Sequence, residues 1–165
     1  MLDHIFILWD EYVMDVIGPS KEREIAMSRI DRQKAAIREF TKVFKNEHNV
    51  DGIDHLFAPE FKHNFKVPLT PGLEGFKQIG RMMNAAFPDV RVAEQDLIAT
   101  DDMVVERTSA AGTHLGPFYG AAPTKTKCHW TEIHMYRFND RSQIVEHWIE
   151  MSMLELLTQV GVVKI

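Results

Sequence analysis

The chain has 165 residues, of which 45% are hydrophobic and 26% charged, a balance typical of one globular domain and unlike that of a disordered chain. Its formal net charge of -5 disfavours a nucleic-acid backbone as the main partner, because such proteins present a basic face. The single cysteine, Cys128, excludes an intrachain disulfide and a cysteine-rich zinc site, whereas eight histidines supply side chains that titrate near neutral pH.

The first eighteen residues combine an apolar cluster with acidic side chains and contain no lysine or arginine. A secretory signal would begin with basic residues, and a membrane span would need about twenty mostly apolar residues. An acidic polar face also disfavours a helix that lies on a membrane surface. We therefore expect an amphipathic helix that packs on the domain or on a partner subunit, and a protein located in the cytoplasm.

Helical periodicity comes first along the chain and strand periodicity follows. Apolar residues recur at helical spacing over 21–48 and 73–86, with a shorter helix over 51–57 and a last one over 153–160. The alternation changes to a period of two in the predicted strands, which are 61–67, 90–99, 103–112, 129–138 and 144–152. Residues 139–143 are predicted to form a hairpin turn. This order predicts an α+β domain, a curved antiparallel sheet with helices against one face.

Several short motifs, taken together in this order, resemble the SnoaL-like polyketide cyclase family of the NTF2-like superfamily. The resemblance covers about residues 31–162, so that 1–30 are assigned to an N-terminal helical extension and 31–165 to the domain. The motifs are Pro71-Gly-Leu-Glu-Gly-Phe-Lys, Ala86-Phe-Pro-Asp-Val, Val105-Glu-Arg-Thr, Gly112-Thr-His-Leu-Gly, Pro123-Thr, Tyr136-Arg-Phe, Ile144-Val-Glu-His-Trp and Leu157-Thr-Gln-Val-Gly.

The resemblance implies an NTF2-like (cystatin-like) cone, in which sheet and helices enclose an apolar cavity for a small ligand or substrate. It implies neither a metal nor an organic cofactor, and a homodimer or higher homo-oligomer. The best-known members catalyse an intramolecular aldol condensation of an aromatic polyketide ester. Fold alone does not determine chemistry, so the site residues must carry the functional argument.

One departure from the family pattern affects the expected chemistry. The family commonly has an aspartate, which acts as acid and base, four residues after the tryptophan of the His-Trp pair. Here that position is Ser152. Since a serine hydroxyl does not exchange a proton near neutral pH without help, another group must take the role, or the protein binds a ligand without that reaction.

The register of the last hairpin indicates which groups could replace the aspartate. If the turn absorbs one extra residue, Phe138 pairs with Ile144 and the pairing continues unshifted along both strands. One face, expected to line the cavity, then carries pairs of opposed residues, namely Tyr136 with Glu146, His134 with Trp148, Glu132 with Glu150, and Trp130 with Ser152. A slip of one residue would instead bring His147 opposite His134 and would remove Glu146 from the cavity.

Four side chains are candidates for catalysis. Glu146, partly desolvated, would exchange protons together with His134 or with His114, which lies in the Gly-Thr-His-Leu-Gly stretch where the family places a cavity histidine. Arg107 would stabilise developing negative charge, or form an ion pair. The predicted cavity-lining residues are His63, Trp130, Tyr136, Trp148 and Ser152.

The leading hypothesis is an enzyme that performs general acid/base chemistry, such as aldol cyclisation or isomerisation, on a small apolar oxygenated molecule. The alternatives are a non-catalytic ligand-binding or assembly module and an enzyme that adds water to an epoxide. A metal site is disfavoured because no histidine pair has the His-x-His or His-x-x-x-His spacing.

Overall fold

A computed structural model describes residues 28–65 and 70–164 of the chain. In these residues three α-helices and five strands form an α+β domain. In chain order they are α1 (Arg29–Phe40), β1 (Phe57–His63), α2 (Gly72–Ala86), β2 (Arg91–Ala99), β3 (Met103–Thr113), β4 (Lys127–Phe138), β5 (Ile144–Met151) and α3 (Met153–Gln159). The predicted helix over 1–18 and the predicted start of the next helix lie outside the described residues.

Helix α1 begins at a capping box in which the side chains of Ser28 and Asp31 each bind the backbone of the other residue. A π-helical turn, Thr41–Asn46, continues it. This wider turn buries Thr41 and Phe44 and directs Lys45 toward the sheet, where it contacts buried acids. Such turns are frequent at functional sites.

The five strands form one sheet in the order β1-β5-β4-β3-β2. Strands β2 to β5 are antiparallel, as predicted, but the edge strand β1 runs parallel to β5. Strand β1 also begins four residues before the predicted start, and includes Pro59. Proline cannot donate a backbone hydrogen bond and is tolerated at a sheet edge, which explains why it does not end the strand here.

The concave side of the sheet packs against the helices through two aromatic clusters. One joins α1 to α2 and the sheet, with the stacked rings of Phe40, Phe44 and Phe76 at its centre. The other lies at the opposite end of the sheet, where Phe87 contacts Phe118 and Trp130. A pocket lies beside both clusters, and polar side chains of the concave face form part of its wall.

Candidate functional site

A pocket of about 100 Å³ lies between the concave face of the sheet and the helices. Most of its wall is apolar and aromatic or rich in methionine, which suits an apolar ligand. The polar side chains in its wall come from five elements. They are Lys45 of the π-helical turn, His63 of β1, Glu132 and His134 of β4, His147 of β5, and Asn84 of α2.

The pairing of β4 with β5 determines which side chains face this pocket. Phe138 pairs with Ile144, as predicted, but the next pair is Arg137 with Glu146, so Val145 is an extra residue on β5. This β-bulge reverses the faces of the rest of the strand. The unshifted register predicted for β5 is therefore wrong, and the pocket face carries His147, Ile149 and Met151, not Glu146 and Trp148.

The prediction for β4 is confirmed, because its alternate residues Trp130, Glu132, His134 and Tyr136 are all buried on the concave side. Glu132 is held by four neighbours, one of which, the hydroxyl of Thr108, donates to Oε2 at 3.4 Å. Its Oε1 accepts a hydrogen bond from Trp130 Nε1 at 2.8 Å, and its Oε2 lies 2.8 Å from His134 Nε2 and 3.5 Å from Lys45 Nζ. Burial opposes the ionisation of Glu132, but the charge of Lys45 and the hydrogen bond with His134 hold the pKa of this carboxyl well below its usual value.

His134 connects this carboxylate to a second histidine. Its Nε2 also lies 2.9 Å from Lys45 Nζ, and its Nδ1 lies 3.0 Å from Nε2 of His147. Burial, followed by the charge of Lys45, lowers the pKa of His134. The ring is therefore neutral at neutral pH, with one nitrogen that donates and one that accepts.

His147 ends this chain of hydrogen bonds. The ring is 2% exposed and packs edge-on against Phe76. Burial, with the neighbouring His134 and Lys45, brings the pKa of His147 well below the usual value for histidine. Its Nδ1 is buried and has no hydrogen-bond partner in residues 28–65 and 70–164. A buried polar atom without a partner is costly, and His147 belongs to the pocket wall, so this nitrogen is a candidate position for a ligand atom.

His63 stands beside His147, since the two residues are partners in the parallel pairing of β1 with β5. Nδ1 of His63 accepts a hydrogen bond from the backbone N–H of Phe65 at 3.3 Å. In a neutral ring the proton then belongs to Nε2. Burial lowers the pKa of His63, which favours this neutral form. His63 lies in the pocket wall.

A second buried acid supports the site from behind. Glu106 of β3 is fully buried, and Lys45 Nζ lies 3.3 Å from its Oε2. The hydroxyls of Thr41 and Tyr136 donate to the same carboxylate at 2.6 Å and 3.3 Å. Tyr136 is completely buried and is absent from the pocket wall, contrary to its predicted place. Burial, with Glu106, raises the pKa of the Tyr136 hydroxyl well above its usual value, so this hydroxyl remains a donor.

Three predicted catalytic residues do not reach the pocket. Arg107 lies on the outer face of the sheet and pairs with Asp96 at 2.6 Å. Glu146 accepts a hydrogen bond from Asn64 and lies 3.7 Å from Arg137. His114 is buried in the second aromatic cluster, where its Nδ1 accepts the backbone N–H of Thr124 at 3.3 Å. The strand or loop that carries each of these residues directs its side chain away from the pocket.

Two predicted wall residues also lie elsewhere. Trp148 faces the outer side, under the guanidinium of Arg137, because of the bulge at Val145. Ser152 precedes α3, and its hydroxyl accepts the backbone N–H of Thr131 at 3.0 Å. Trp130 lines the pocket. Ser152 therefore joins β4 to the last helix.

Sequence reasoning missed Lys45 and Glu106, and kept His147 only for a slipped register. Lys45 follows Phe44 in a helical stretch, where a lysine is usually exposed. Glu106 gave a signal, since it alternates with Val104 and Thr108 on the inward face of β3.

Within the described residues, no group of three or more histidine, cysteine or acidic side chains is arranged to hold a metal ion. No helix in this part of the chain is long and apolar enough to cross a membrane.

Comparison with known proteins gives one family. Residues 35–160 match the SnoaL-like polyketide cyclase family. The chain is similar in structure to AclR, a proposed hydroxylase from Streptomyces galilaeus, with a TM-score of 0.73 and 26% sequence identity. The alignment covers 82% of this chain and 99% of AclR. The chain is also similar to IdmH, a proposed polyketide cyclase from Streptomyces antibioticus, with 29% identity, 78% and 98% covered, and a TM-score of 0.67. No curated protein matches the sequence. The match spans most of the chain, and the protein belongs to the SnoaL-like polyketide cyclase family.

Proposed function

We propose that the pocket catalyses proton transfer to and from a small, uncharged, apolar molecule that carries an enolisable carbonyl group. The observation that carries this proposal is Nδ1 of His147, a buried nitrogen without a partner in the described residues, at the end of a hydrogen-bonded chain. His147 would exchange the proton with the substrate. Aldol cyclisation and isomerisation both begin with such a step.

Burial, His134 and Lys45 lower the pKa of His147, whereas the carboxylate of Glu132 opposes this shift and favours the protonated ring. A base that accepts a proton becomes an imidazolium, and its Nε2–H then donates to His134 Nδ1. His134 in turn lies 2.8 Å from the carboxylate of Glu132, which offsets the positive charge that forms on the two rings. A buried carboxylate that orients and stabilises a histidine base is a recurring arrangement in catalysis.

His63 would supply the group that stabilises the substrate oxygen. Removing a proton next to a carbonyl group leaves negative charge on the oxygen, and a fixed donor near that oxygen lowers the barrier. The hydrogen bond from Phe65 N–H to His63 Nδ1 leaves Nε2–H as the donor of this ring. His63 and His147 are adjacent across two strands, so a carbonyl oxygen and its neighbouring carbon can be reached together.

The family relationship supports this reaction class. IdmH, at 29% identity, is described as a polyketide cyclase, and cyclisation of a polyketide by aldol chemistry proceeds through an enolate. The apolar wall supports a substrate with little charge, since a buried charge needs a partner.

A second candidate function, ligand binding without catalysis, is favoured by one observation. Ser152 occupies the position where family members commonly have the acid/base aspartate, and its hydroxyl is engaged by the backbone of Thr131. A binding module would keep the pocket and need no proton transfer from His147.

Hydrogen–deuterium exchange at carbon separates the two functions. Acetophenone and 1-indanone have slowly exchanging protons next to the carbonyl group, and NMR in deuterated buffer measures their loss with and without the protein. We expect exchange accelerated by the wild-type protein, and a loss of about 10²- to 10⁴-fold in His147→Gln. His129→Gln is the matched control, because His129 is exposed and pairs with Glu155 away from the pocket. Ketones that bind without accelerated exchange would favour the binding module.

A further inference from the structure

The Nε2 atom of His134 has two incompatible neighbours at nearly equal distance. Lys45 Nζ, at 2.9 Å, has only protons to offer, whereas Glu132 Oε2, at 2.8 Å, can only accept one. Nε2 of a neutral histidine is either protonated or unprotonated, so it satisfies one of these neighbours at a time. All three side chains are buried or nearly so, and bulk water does not replace the missing partner.

The protonation of His134 Nε2 determines the tautomer of His147. If His134 donates to Glu132, its Nδ1 is an acceptor and takes the proton of His147 Nε2, which leaves Nδ1 of His147 as a free acceptor. If Lys45 donates to His134, its Nδ1 carries the proton and donates to His147 Nε2, so Nδ1 of His147 is a donor. The two arrangements contain the same number of protons and have the same net charge.

We infer that His134 is a tautomeric switch, set by Lys45 and Glu132, that lets His147 present either an acceptor or a donor to the ligand. This inference rests on the proposed function, in which His147 is the group that meets the ligand. It assigns Lys45 a positioning role, since Lys45 acts on the ligand through His134. It also defines the ligand class, a keto–enol pair: in the acceptor form His147 takes the proton from the carbon of the ketone or binds the enol hydroxyl, and in the donor form it binds a carbonyl oxygen.

The balance between the two neighbours comes from the rest of the network. Lys45 is drawn toward Glu106 as well, at 3.3 Å, and Glu132 also accepts from Trp130. Each neighbour therefore has another partner and tolerates the loss of its contact with His134. A lysine with one acceptor, or a glutamate with one donor, would hold His134 in a single form.

Histidine tautomers are measured directly by NMR of protein labelled with ¹⁵N in histidine, because protonated and unprotonated ring nitrogens have well-separated shifts. Phenol, a hydroxyl donor like an enol, and acetophenone, an acceptor, serve as the two probes. We expect phenol to move His147 toward the form protonated at Nε2 and acetophenone to move it toward the form protonated at Nδ1, with His134 changing in parallel. Both probes leaving His147 in one tautomer while they bind would overturn the inference.

Two variants test the switch without a ligand. Lys45→Met removes the donor and should fix His134 in the form protonated at Nε2, whereas Glu132→Gln weakens the acceptor and should favour the form protonated at Nδ1. Opposite shifts support the switch, and equal tautomers in the two variants contradict it. If Lys45→Met does not fold, Glu132→Gln compared with the wild-type protein gives the same decision, since an unchanged tautomer contradicts it.

The failure of this inference is distinct from failure of the proposed function. Tautomers that respond as expected in a protein without exchange activity would exclude catalysis and leave the switch intact. Exchange that depends on His147, with His134 in one fixed tautomer, would exclude the switch and leave catalysis intact.

Discussion

His147 Nε2 lies 3.0 Å from His134 Nδ1, although the residue opposite His147 in the sheet is Tyr136 and not His134. The contact is diagonal across two strands, and the two rings are nearly parallel, with centroids 5.3 Å apart. Both are buried and both are neutral at neutral pH because burial lowers their pKa values. Protonation of these two rings therefore affects the stability of the fold as well as the chemistry of the pocket.

The first prediction concerns the dependence of stability on pH. Below about pH 6.5 the unfolded chain protonates both histidines, whereas the folded protein does not, since their folded pKa values are lower. The free energy of unfolding should then fall as the pH decreases from about 6.5, by about 1.4 kcal/mol per pH unit for each of the two rings. Urea unfolding between about pH 8 and pH 5 measures this slope.

The variant His147→Phe separates the contribution of one ring. It removes one proton-binding group from the unfolded chain, so the slope should be shallower than in the wild-type protein. His55→Gln is the control, because His55 is exposed and its partner Glu39 is exposed as well. An equal slope in His147→Phe and the wild-type protein would contradict the buried neutral state of His147.

The second prediction concerns Lys45, the cation between two buried acids. Lys45→Met leaves Glu106 and Glu132 without their shared ammonium partner, and breaking a buried ion pair by removing one partner costs about 3–5 kcal/mol. The measurement is the free energy of unfolding in urea. Lys42→Met is the matched control from the same helical turn, because Lys42 is exposed and 3.8 Å from Glu47, so its loss should cost less than about 1 kcal/mol.

A double variant identifies the cause of that loss. Lys45→Met combined with Glu106→Gln removes one unpaired carboxylate, and it should be more stable than Lys45→Met alone. A double variant as unstable as the sum of the two single changes would show that Lys45 does not act through Glu106.

The third prediction concerns Gly116, which follows β3 in the loop that crosses the end of α2. A Cβ atom at this position would lie 2.1 Å from the carbonyl oxygen of Ala85, a backbone atom that cannot move independently. Gly116→Ala should therefore destabilise the protein by about 1–3 kcal/mol, the usual cost of overpacking. Ala122→Ser, an addition of one atom at an exposed site of the same loop, should change stability by less than about 0.5 kcal/mol.

The fourth prediction concerns self-association, which the family resemblance implies. An apolar row crosses the outer face of the sheet as register partners from β2 to β5, formed by Ile98, Val105, Met135 and Trp148. The next pair beyond this row carries opposite charges, on Arg137 and Glu146. A two-fold interface must be self-complementary, so a face with both charges beside an apolar row is suited to pack against a second copy. We predict that Met135→Glu lowers the molar mass measured by light scattering. Ala35→Glu, at an exposed site of α1, should leave it unchanged.

The fifth prediction concerns the N-terminal extension. Residues 1–20 contain an apolar cluster that the domain proposed for 31–165 does not include. We predict that deleting them weakens self-association. A truncated protein with the same molar mass over the same concentration range would count against a role of this segment in assembly.

The inward face of β4 and the position of α2 could be predicted from the sequence, and the pocket face of β5 could not. Alternation in β4 is strict, so only one face can be buried. In β5, apolar residues occur at both parities, with Ile144 and Trp148 on one and Val145 and Ile149 on the other. Both registers bury apolar side chains, and periodicity cannot locate a bulge in such a strand. Contacts of Lys45 with Glu106 and Glu132 join residues distant in sequence, which no local pattern reports.

The extra residue at Val145 gives this strand two alternative sets of wall residues within one stretch of sequence. If Val145 paired with Arg137 instead of forming the bulge, His147 would turn outward and Glu146 and Trp148 would turn inward, with no change in the sequence of the strand. The side chains that line a pocket in a fold of this kind can thus differ through a change of strand register as well as through substitution. A residue-for-residue alignment of two such proteins would then match side chains that lie on opposite faces of the sheet.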